Sequence, residues 1–328
     1  MALHRATDYY GIIGCTNVMR QLYRRIERFA HVQIPLLIEG ETGTGKEMVA
    51  QAIRCVSGCE RRFAAVNCAA IPKHLLESEL FGHEQGAFTG ATRRHPGILA
   101  QVDGGILFLD EISELPPSAQ AKLLRVLESG EFRPVGSEHA RRASFRLITA
   151  TNQSLAALVR RRHFRLDLLH RLGAARIAVP SLRDRVDDIP LLSEAFLRRF
   201  AQVHGRGHLR LTAEALHLLQ TAAWPGNVRE LRHVVEAAAS LASGDHVTAA
   251  QVREFLGLTP AERSLSAPTL AEAIRAAERS AIEGALRLAN GNRDRAAELL
   301  GISVATLYRR LAAHPQSAAE RCDGLPLA

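Results

Sequence analysis

Short apolar segments alternate with amphipathic stretches along the first two-thirds of the chain. Four apolar segments predict buried strands, at 36–38, 63–66, 106–109 and 145–149. Between them lie sequences with helical periodicity, such as 46–57 and 119–129. Alternation of this kind is typical of an α/β fold, in which helices cover both faces of a mostly parallel sheet.

The pattern changes after about residue 190, where helical periodicity replaces the strand signals. Trp224-Pro225-Gly226 separates two of the predicted helices. We predict a smaller all-α lid subdomain here, then a linker rich in Pro, Ser and Gly and further helices. The predicted divisions are an N-terminal extension at 1–11, an α/β subdomain at 12–186, a helical lid at 187–256, a linker at 257–268, a helical domain at 269–313 and a tail at 314–328.

Composition narrows the class of protein. With 328 residues, 47% of them hydrophobic, the chain is long enough for two or three globular domains. Its net charge of +8 suits a nucleic-acid partner and an ordinary basic enzyme equally well. Five cysteines, an odd number in a chain of this length, argue for reduced thiols, and Cys55 and Cys59 lack a second pair with zinc spacing. We find no signal-peptide h-region and no apolar run of about 20 residues, which predicts a cytoplasmic protein without a membrane partner.

Residues 40–47 read GETGTGKE and lie between a predicted strand and a predicted helix, the context that a phosphate-binding loop requires. Glycines let backbone N–H groups turn toward phosphates, the helix N-terminus adds positive potential, and Lys46 supplies a charge. Position 47 is Glu, where the general motif has Ser or Thr for magnesium, so a glycine-rich turn without nucleotide is the alternative. The predicted nucleotide-binding residues are Gly40, Glu41, Thr42, Gly43, Thr44, Gly45, Lys46 and Glu47.

Two carboxylates, Asp110 and Glu111, follow the apolar strand at 106–109. A strand end of this kind presents its acids at the carboxyl edge of a parallel sheet, where nucleotides bind. We expect Asp110 to hold Mg²⁺, directly or through water, and Glu111 to polarise the attacking water. The alternative is an exposed acidic loop.

Residues 86–91 read GAFTGA. On this signature the chain resembles the sigma-54-dependent transcription activators of the AAA+ family, the bacterial enhancer-binding proteins, from about residue 12 to residue 311. In that family Glu is usual at the last position of the phosphate loop. Small, flexible ends around one aromatic residue let such a segment move as a unit, and a buried Phe in a glycine-rich turn is the alternative. The resemblance implies that the segment contacts sigma-54, mainly through Phe88 and Thr89, with Gly86, Ala87, Gly90 and Ala91 completing it.

The resemblance also assigns roles around the nucleotide, which it implies to be ATP with Mg²⁺. Asn67 is implied to sense the γ-phosphate and restrain Glu111, and Thr151 and Asn152 to form sensor I. In a homo-oligomer, a hexameric ring, arginine fingers reach the γ-phosphate of the neighbouring subunit. The arginines that match the family pattern are Arg165 and Arg171 as fingers, and Arg229 as the sensor II contact within the same chain.

The C-terminal segment at 278–311 predicts a helix-turn-helix, with a break at Gly291-Asn292 and a turn at Gly301-Ile302-Ser303. It resembles the Fis-type domain common in the same family, while a helical oligomerisation module is the alternative. Val304 stands where relatives usually carry a basic residue that reads guanine. The candidates for DNA contact are Ser303, Thr306, Tyr308, Arg309 and Arg310.

Together these features predict an ATP-dependent activator that binds double-stranded enhancer DNA and remodels the sigma-54 RNA polymerase holoenzyme. A DNA-binding regulator with a vestigial motor and an AAA+ remodeller of another client are the alternatives. About ten residues precede the start of the motor at Ile12. The chain therefore resembles the members without an N-terminal regulatory domain, and we expect regulation in trans, by a binding protein or by abundance.

Overall fold

The computed structural model describes residues 8–58, 62–88, 90–257, 285, 289, 292–302 and 306–307. The chain divides into two compact units, Met1–Thr259 and Pro260–Ala328. The apolar segments predicted as strands and the amphipathic segments predicted as helices are found in the first unit.

The strands in the described part of the first unit include two-residue pairs and the longer strands of a central sheet. They are β1 (Asp8–Tyr9), β2 (Ile12–Ile13), β3 (Leu36–Glu39), β4 (Phe63–Asn67), β5 (Ile106–Asp110), β6 (Glu131–Phe132), β7 (Arg141–Arg142), β8 (Arg146–Thr151), β9 (Ala175–Ala178), β10 (Arg210–Leu211) and β11 (His246–Val247).

The helices of the same part alternate with the strands and then follow one another. They are α1 (Asn17–Ala30), α2 (Lys46–Val56), α3 (Lys73–Phe81), α4 (Ile98–Gln101), α5 (Pro117–Ser129), α6 (Leu155–Arg160), α7 (Leu166–Leu172), α8 (Ile189–Val203), α9 (Ala213–Thr221), α10 (Asn227–Ser240) and α11 (Ala249–Phe255). Short 3₁₀ segments lie at Ile112–Glu114 and Leu182–Asp188.

The central sheet is parallel, with strand order β4-β5-β8-β3-β9. Every residue of β8 is buried, as expected for a strand covered on both faces. The strand β9 was missing from the sequence prediction. It lies at the sheet edge, where buried Ala175 and Ile177 alternate with exposed residues, so it lacks a continuous apolar run.

Side chains of each strand alternate between two hydrophobic layers. Leu107 and Leu109 of β5 pack with α3, α5 and α7 on one face of the sheet. Ile106 and Phe108 pack with α1 and α2 on the other face. This alternation, which follows from the two-residue period of a strand, confirms the predicted α/β architecture with helices on both faces.

An ion pair joins α3 to α5 on the first of these faces. Glu77 lies 2.6 Å from the ammonium group of Lys122 and accepts a hydrogen bond of 2.5 Å from Ser118. Burial acts to raise the pKa of Glu77, but the hydrogen bonds from Lys122 and Ser118 outweigh it and hold that pKa below its usual value. The pair therefore links α3, the helix that precedes the GAFTGA segment, to α5.

The lid consists of α8 to α11, packed around a separate hydrophobic cluster. Trp224 is buried in this cluster, and its indole N–H donates to the carbonyl of Leu219 at 2.9 Å. Besides the predicted helices, the lid contains a parallel pair formed by β10 and β11. Two residues per strand are too few for an apolar pattern to reveal.

In the second unit the structure describes one helix in full, α12 (Arg293–Leu299). Asn292 caps its start and accepts hydrogen bonds from two N–H groups of the first turn. Ala296 and Ala297 are fully buried, as expected for small residues at a close helix crossing. Gly301, with φ of +65°, makes the predicted turn after the helix.

None of the helices in the described ranges is both long and apolar enough to cross a membrane. The described residues also contain no group of three or more His, Cys, Asp and Glu side chains that could hold a metal ion. Cys15 and Cys55 are exposed free thiols, and Cys68 is a buried one. Burial raises the pKa of Cys68 to about 12. Cys59 and Cys322 lie outside the described residues.

Candidate functional site

The phosphate loop connects the end of β3 to the start of α2. Gly43 and Gly45 have φ angles of +78° and +102°, in the left-handed region that glycine adopts without strain. The helix α2 begins at Lys46, directly after Gly45. The unpaired N–H groups of its first turn therefore lie at the loop, which is the arrangement that attracts a phosphate.

Lys46 is only 7% exposed, although it carries a charge. Its Nζ donates to the carbonyl oxygens of Gly40 at 3.0 Å and Glu41 at 3.3 Å, and lies 3.7 Å from Oε1 of Glu111. Hydrogen bonds from an ammonium group to a phosphate are stronger than those to neutral carbonyls. The lysine is thus positioned for an anionic ligand at the loop.

The two predicted acids lie at the carboxyl end of β5. Asp110 accepts a hydrogen bond of 3.0 Å from the backbone N–H of Glu111. Glu111 has φ of +51°, a left-handed conformation that costs a non-glycine residue roughly 1–3 kcal/mol. With this backbone, the Glu111 carboxylate faces Lys46 and accepts a hydrogen bond of 3.3 Å from the N–H of Asn152.

Asn67 ends β4, beside the acids. It is the register partner of Asp110, so it lies at the same edge of the sheet. Its side-chain oxygen accepts a hydrogen bond of 2.9 Å from the N–H of Ala69. The Asn67 side chain therefore stabilises the turn at 67–69 that follows β4. The Glu111 carboxylate, which Asn67 is predicted to restrain, instead contacts Lys46 and Asn152.

Of the two residues predicted to form sensor I, Thr151 ends β8, next to β5, and Asn152 follows it. Thr151 is buried, and its hydroxyl donates to the carbonyl of Gln153 at 3.2 Å. The side-chain amide of Asn152 donates to Oγ1 of Thr42 in the phosphate loop at 2.9 Å. Asn152 therefore links the phosphate loop to Glu111.

The lid contacts the phosphate loop directly at the start of α10. The backbone N–H of Arg229 donates to the carbonyl of Gly43 at 3.2 Å. A Cβ atom placed on Gly43 would lie 2.1 Å from the carbonyl oxygen of Gly226, so only glycine allows this approach. The side chain of Arg229 borders the cleft above the loop.

Three further polar residues, which the local sequence pattern does not single out, contact the phosphate loop. Arg183 pairs with Glu41 through two hydrogen bonds, which hold the pKa of Glu41 below its usual value. The amide of Asn227 donates to the same carboxylate at 3.1 Å. Arg185, 3% exposed, donates to the carbonyl of Thr44 at 3.2 Å. Charged residues after the last sheet strand were the available signal, but local pattern does not tell which of them are buried.

These residues line a cleft of about 460 Å³ at the carboxyl edge of the sheet. The phosphate loop, Asp110 and Glu111 contribute polar groups to its lining. Apolar side chains also line it: Ile12, Ile13, Leu192, Phe196 and Val228. A volume of this size, lined by both polar and apolar groups, suits a nucleotide with its phosphates and its flat base.

The GAFTGA segment forms a closed loop on the same unit. The N–H of Gly86 donates to the carbonyl of Ala91 at 2.9 Å, and the N–H of Ala91 donates to the carbonyl of Phe88 at 3.0 Å. Gly86 and Gly90 both have positive φ angles. Phe88 is 37% exposed and packs edge-on against the ring of His83 at 5.0 Å, while Thr89 lies outside the described residues. The aromatic side chain is therefore presented at the surface, as the sequence predicts.

Comparison with known proteins agrees with this geometry. The sigma-54 interaction domain matches residues 12–178, just over half of the chain. The chain belongs to this sigma-54 family. Two further families match the rest of the same chain. The AAA+ ATPase lid domain matches residues 183–268, and the bacterial regulatory proteins of the Fis family match residues 273–314.

Two relatives of the chain are named as regulatory proteins. The chain is 41% identical over 303 residues to the transcriptional regulatory protein ZraR of Salmonella typhimurium, and the match covers 92% of this chain and 68% of that protein. It is 43% identical over 308 residues to the Nif-specific regulatory protein of Azotobacter vinelandii, covering 92% and 58%. Among solved structures, NtrX from Brucella abortus in complex with ATP has a TM-score of 0.73 and 35% identity, covering 92% and 68%.

The two predicted arginine fingers of this sigma-54 family member lie away from its own cleft. Arg165 precedes α7 and pairs with Asp167 through hydrogen bonds of 3.0 and 2.7 Å, with both side chains about half exposed. Arg171 donates to a carbonyl of α5 at 2.8 Å. It borders a second groove with Pro35 and Phe145, which precede β3 and β8. That groove is therefore at the amino edge of the sheet, opposite the phosphate loop.

Of the residues predicted to contact DNA, the structure describes Thr306. It lies in helical backbone next to Leu307, which is fully buried in the core of the second unit. The other candidates lie outside the described residues: Ser303, Tyr308, Arg309 and Arg310.

Proposed function

We propose that this chain is an ATPase that uses hydrolysis to remodel sigma-54 RNA polymerase while bound to enhancer DNA. The contact of 3.7 Å between Lys46 and Glu111, in a cleft of nucleotide size, is the observation that carries the proposal. Its relative NtrX binds ATP, which supports ATP as the nucleotide. The sigma-54 interaction domain supports the partner.

In the proposed complex the triphosphate lies on the N–H groups of the phosphate loop and on Lys46, with the base against the apolar side chains that line the cleft. Glu111 acts as the general base that orients the attacking water and accepts its proton. Asp110 would hold Mg²⁺, which when bound offsets the charge of the phosphate oxygens. The donors present fit this ion, because Mg²⁺ in such sites takes one or two carboxylates together with phosphate oxygens.

We propose further that the chain works as a hexameric ring. Arg165 and Arg171 would then reach the γ-phosphate bound by the neighbouring subunit, and Arg229 would contact the nucleotide of its own chain. The location of Arg171 at the sheet edge opposite its own phosphate loop supports a role toward another subunit. An arginine finger contributes a factor of about 10³–10⁵ in rate, because it neutralises charge as the phosphoryl group transfers.

The GAFTGA loop is the proposed contact with sigma-54, through Phe88 and Thr89. Hydrolysis changes the contacts of Glu111, including its proposed contact with Asn67, and the loop moves in response. Two glycines with positive φ, Gly86 and Gly90, allow the loop to move as a unit.

The Fis-type unit, which we place at 269–313 after a linker at 257–268, is proposed to hold the ring on double-stranded DNA. Tethering raises the local concentration of the motor at a looped promoter. Ser303, Thr306, Tyr308, Arg309 and Arg310 are the proposed DNA contacts. Replacing Arg309 and Arg310 by alanine should weaken binding in a DNA mobility assay and leave the ATPase rate unchanged.

Steady-state ATP hydrolysis tests the motor. We expect Glu111→Gln to lower kcat by a factor of about 10² or more, while binding of a fluorescent ATP analogue persists. Glu114→Gln is the matched control, because Glu114 lies three residues further on and pairs with Lys73 at 3.2 Å near the surface. Absence of hydrolysis by the unmodified protein would overturn the proposal.

Promoter opening with purified sigma-54 polymerase, followed by permanganate footprinting, tests the coupling. Thr89→Ala should abolish opening while ATP hydrolysis continues. Thr92→Ala, at an exposed position just beyond the loop, should open the promoter normally. Normal opening by Thr89→Ala would remove sigma-54 remodelling from the proposal.

A further inference from the structure

Asn227 begins α10 in a conformation that is costly for its residue type. Its φ is +52°, in the left-handed region, and its side chain is fully buried. Asn tolerates this backbone better than most residues, but the conformation still carries a cost. A buried amide also requires partners for its donors and its acceptor. Such a residue persists only where its contacts outweigh both costs.

The amide of Asn227 joins three segments that are distant in the sequence. Its oxygen accepts a hydrogen bond of 2.8 Å from the N–H of Leu182, which lies 45 residues earlier. Its nitrogen donates to the Glu41 carboxylate at 3.1 Å and to the carbonyl of Thr42 at 3.0 Å, both in the phosphate loop. One side chain therefore connects the lid, the segment leading into the lid and the loop that binds phosphate.

Thr42, in the phosphate loop, is hydrogen-bonded both to the lid and to the segment that follows β8. Its carbonyl accepts from Asn227, and its hydroxyl accepts from the amide of Asn152 at 2.9 Å. The N–H of Asn152 in turn donates to the Glu111 carboxylate at 3.3 Å. A continuous series of contacts thus runs from the lid through the phosphate loop and sensor I to the hydrolytic acid.

Backbone contacts alone already dock the lid on the loop. The N–H of Arg229 donates to the carbonyl of Gly43, and Gly43 approaches Gly226 so closely that a Cβ atom would collide. These contacts do not reach Thr42. The amide of Asn227 therefore adds the orientation of Thr42, the residue on which Asn152 depends.

We propose that Asn227 is a positioning residue for ATP hydrolysis, an inference that rests on the proposed ATPase function. It fixes Thr42 against the lid, so that Asn152 holds the Glu111 carboxylate toward the nucleotide. The orientation of the hydrolytic acid then depends on whether the lid is seated on the phosphate loop. Lid position and hydrolysis are coupled within one subunit by this amide.

Two substitutions divide the series of contacts. Asn227→Gly removes the amide and keeps the left-handed backbone accessible. Thr42→Val removes the hydroxyl that Asn152 contacts and keeps the carbonyl that Asn227 contacts. We expect each to lower kcat about tenfold or more, with Asn227→Gly also raising KM for ATP. Because both act through Thr42, the double variant should lose no more kcat than the more affected single variant.

Two lid variants distinguish positioning from general loss of stability. Arg206 donates to the carbonyl of Ala239 at 2.9 Å near the end of α10, far along the helix from the phosphate loop. Arg206→Gln should lower Tm and keep kcat. Ser193 is a buried lid residue whose hydroxyl has no partner within the described structure, so Ser193→Ala should change neither quantity.

Wild-type kcat in Asn227→Gly overturns the inference. The inference is also overturned if Arg206→Gln loses as much kcat as Asn227→Gly at the same fall in Tm. It is overturned too if the effects of Asn227→Gly and Thr42→Val on kcat are additive in the double variant. If Asn227→Gly does not fold, Asn227→Asp in a Glu41→Gln background replaces it, compared with Glu41→Gln alone. This substitution retains the acceptor for Leu182 and removes both donors to the loop, and the background avoids a second carboxylate beside Glu41. An unmodified protein that hydrolyses no ATP indicates failure of the proposed function instead.

Discussion

Replacement of Asp188 by alanine should strongly destabilise the first unit. Asp188 ends the 3₁₀ segment that leads into the lid and is fully buried. Its carboxylate accepts hydrogen bonds from the N–H of Cys15 at 2.7 Å, the N–H of Thr16 at 3.0 Å and the hydroxyl of Thr16 at 2.8 Å. Burial lowers the pKa of the nearby Arg185, and the Asp188 charge opposes that shift. The carboxylate therefore anchors the backbone directly before α1, and its charge favours the charged form of the buried Arg185.

The magnitude follows from these hydrogen bonds. Alanine leaves three donors without their acceptor, at about 1 kcal/mol or more for each. The expected loss is therefore about 3–5 kcal/mol, which corresponds to a fall in Tm of about 6–20 °C for a unit of this size.

Urea unfolding followed by tryptophan fluorescence measures this loss. Trp224 is the single tryptophan and is buried in the lid core, so its emission reports unfolding of the first unit. Asp187→Ala is the matched control, because Asp187 is the exposed neighbour and the charge change is identical. We expect the control to change stability by less than about 0.5 kcal/mol. A loss below about 1 kcal/mol for Asp188→Ala, or a loss equal to that of the control, would refute the reasoning.

Three further predictions concern other parts of the first unit. Lys122 and Ser118 hold the pKa of Glu77 in the folded protein below the unfolded value of 4.5. The ionised carboxylate therefore stabilises the fold above pH 4.5, and this stabilisation is lost as the pH falls through the folded pKa. Destabilisation by Glu77→Gln in urea melts should therefore shrink as the pH falls below 4.5, and a pH-independent difference would contradict this. Gly43→Ala should weaken binding of a fluorescent ADP analogue at least about tenfold, since its Cβ would meet the Gly226 carbonyl, and an unchanged Kd would show that the loop adapts. With a pKa of about 12, roughly one Cys68 thiol in 10⁴ is ionised at pH 8. In the native protein Cys68 should therefore react with iodoacetamide more slowly than the exposed Cys55, and similar rates at the two thiols would contradict the burial of Cys68.

Features made of consecutive residues were predictable from the chain alone. The apolar run at 106–109 predicts β5 and its acids, and GETGTGKE predicts a loop between a strand and a helix; both are found. The GAFTGA segment predicts an exposed aromatic residue, and Phe88 is exposed. The edge strand β9 is not predicted from the sequence, because only every second residue of the strand is buried and no apolar run marks it.

Amino-acid order by itself determined the α/β alternation, the position of the phosphate loop and the identity of the acids beside it, because each depends on the spacing of near neighbours. The tertiary structure alone decided which polar residues hold these parts together. Asn227 meets Glu41 across 186 residues, and Asp188 meets Thr16 across 172. Hydrogen bonds and charge pairs depend on distance in space, and folding brings together groups whose sequence neighbours give no sign of the partner.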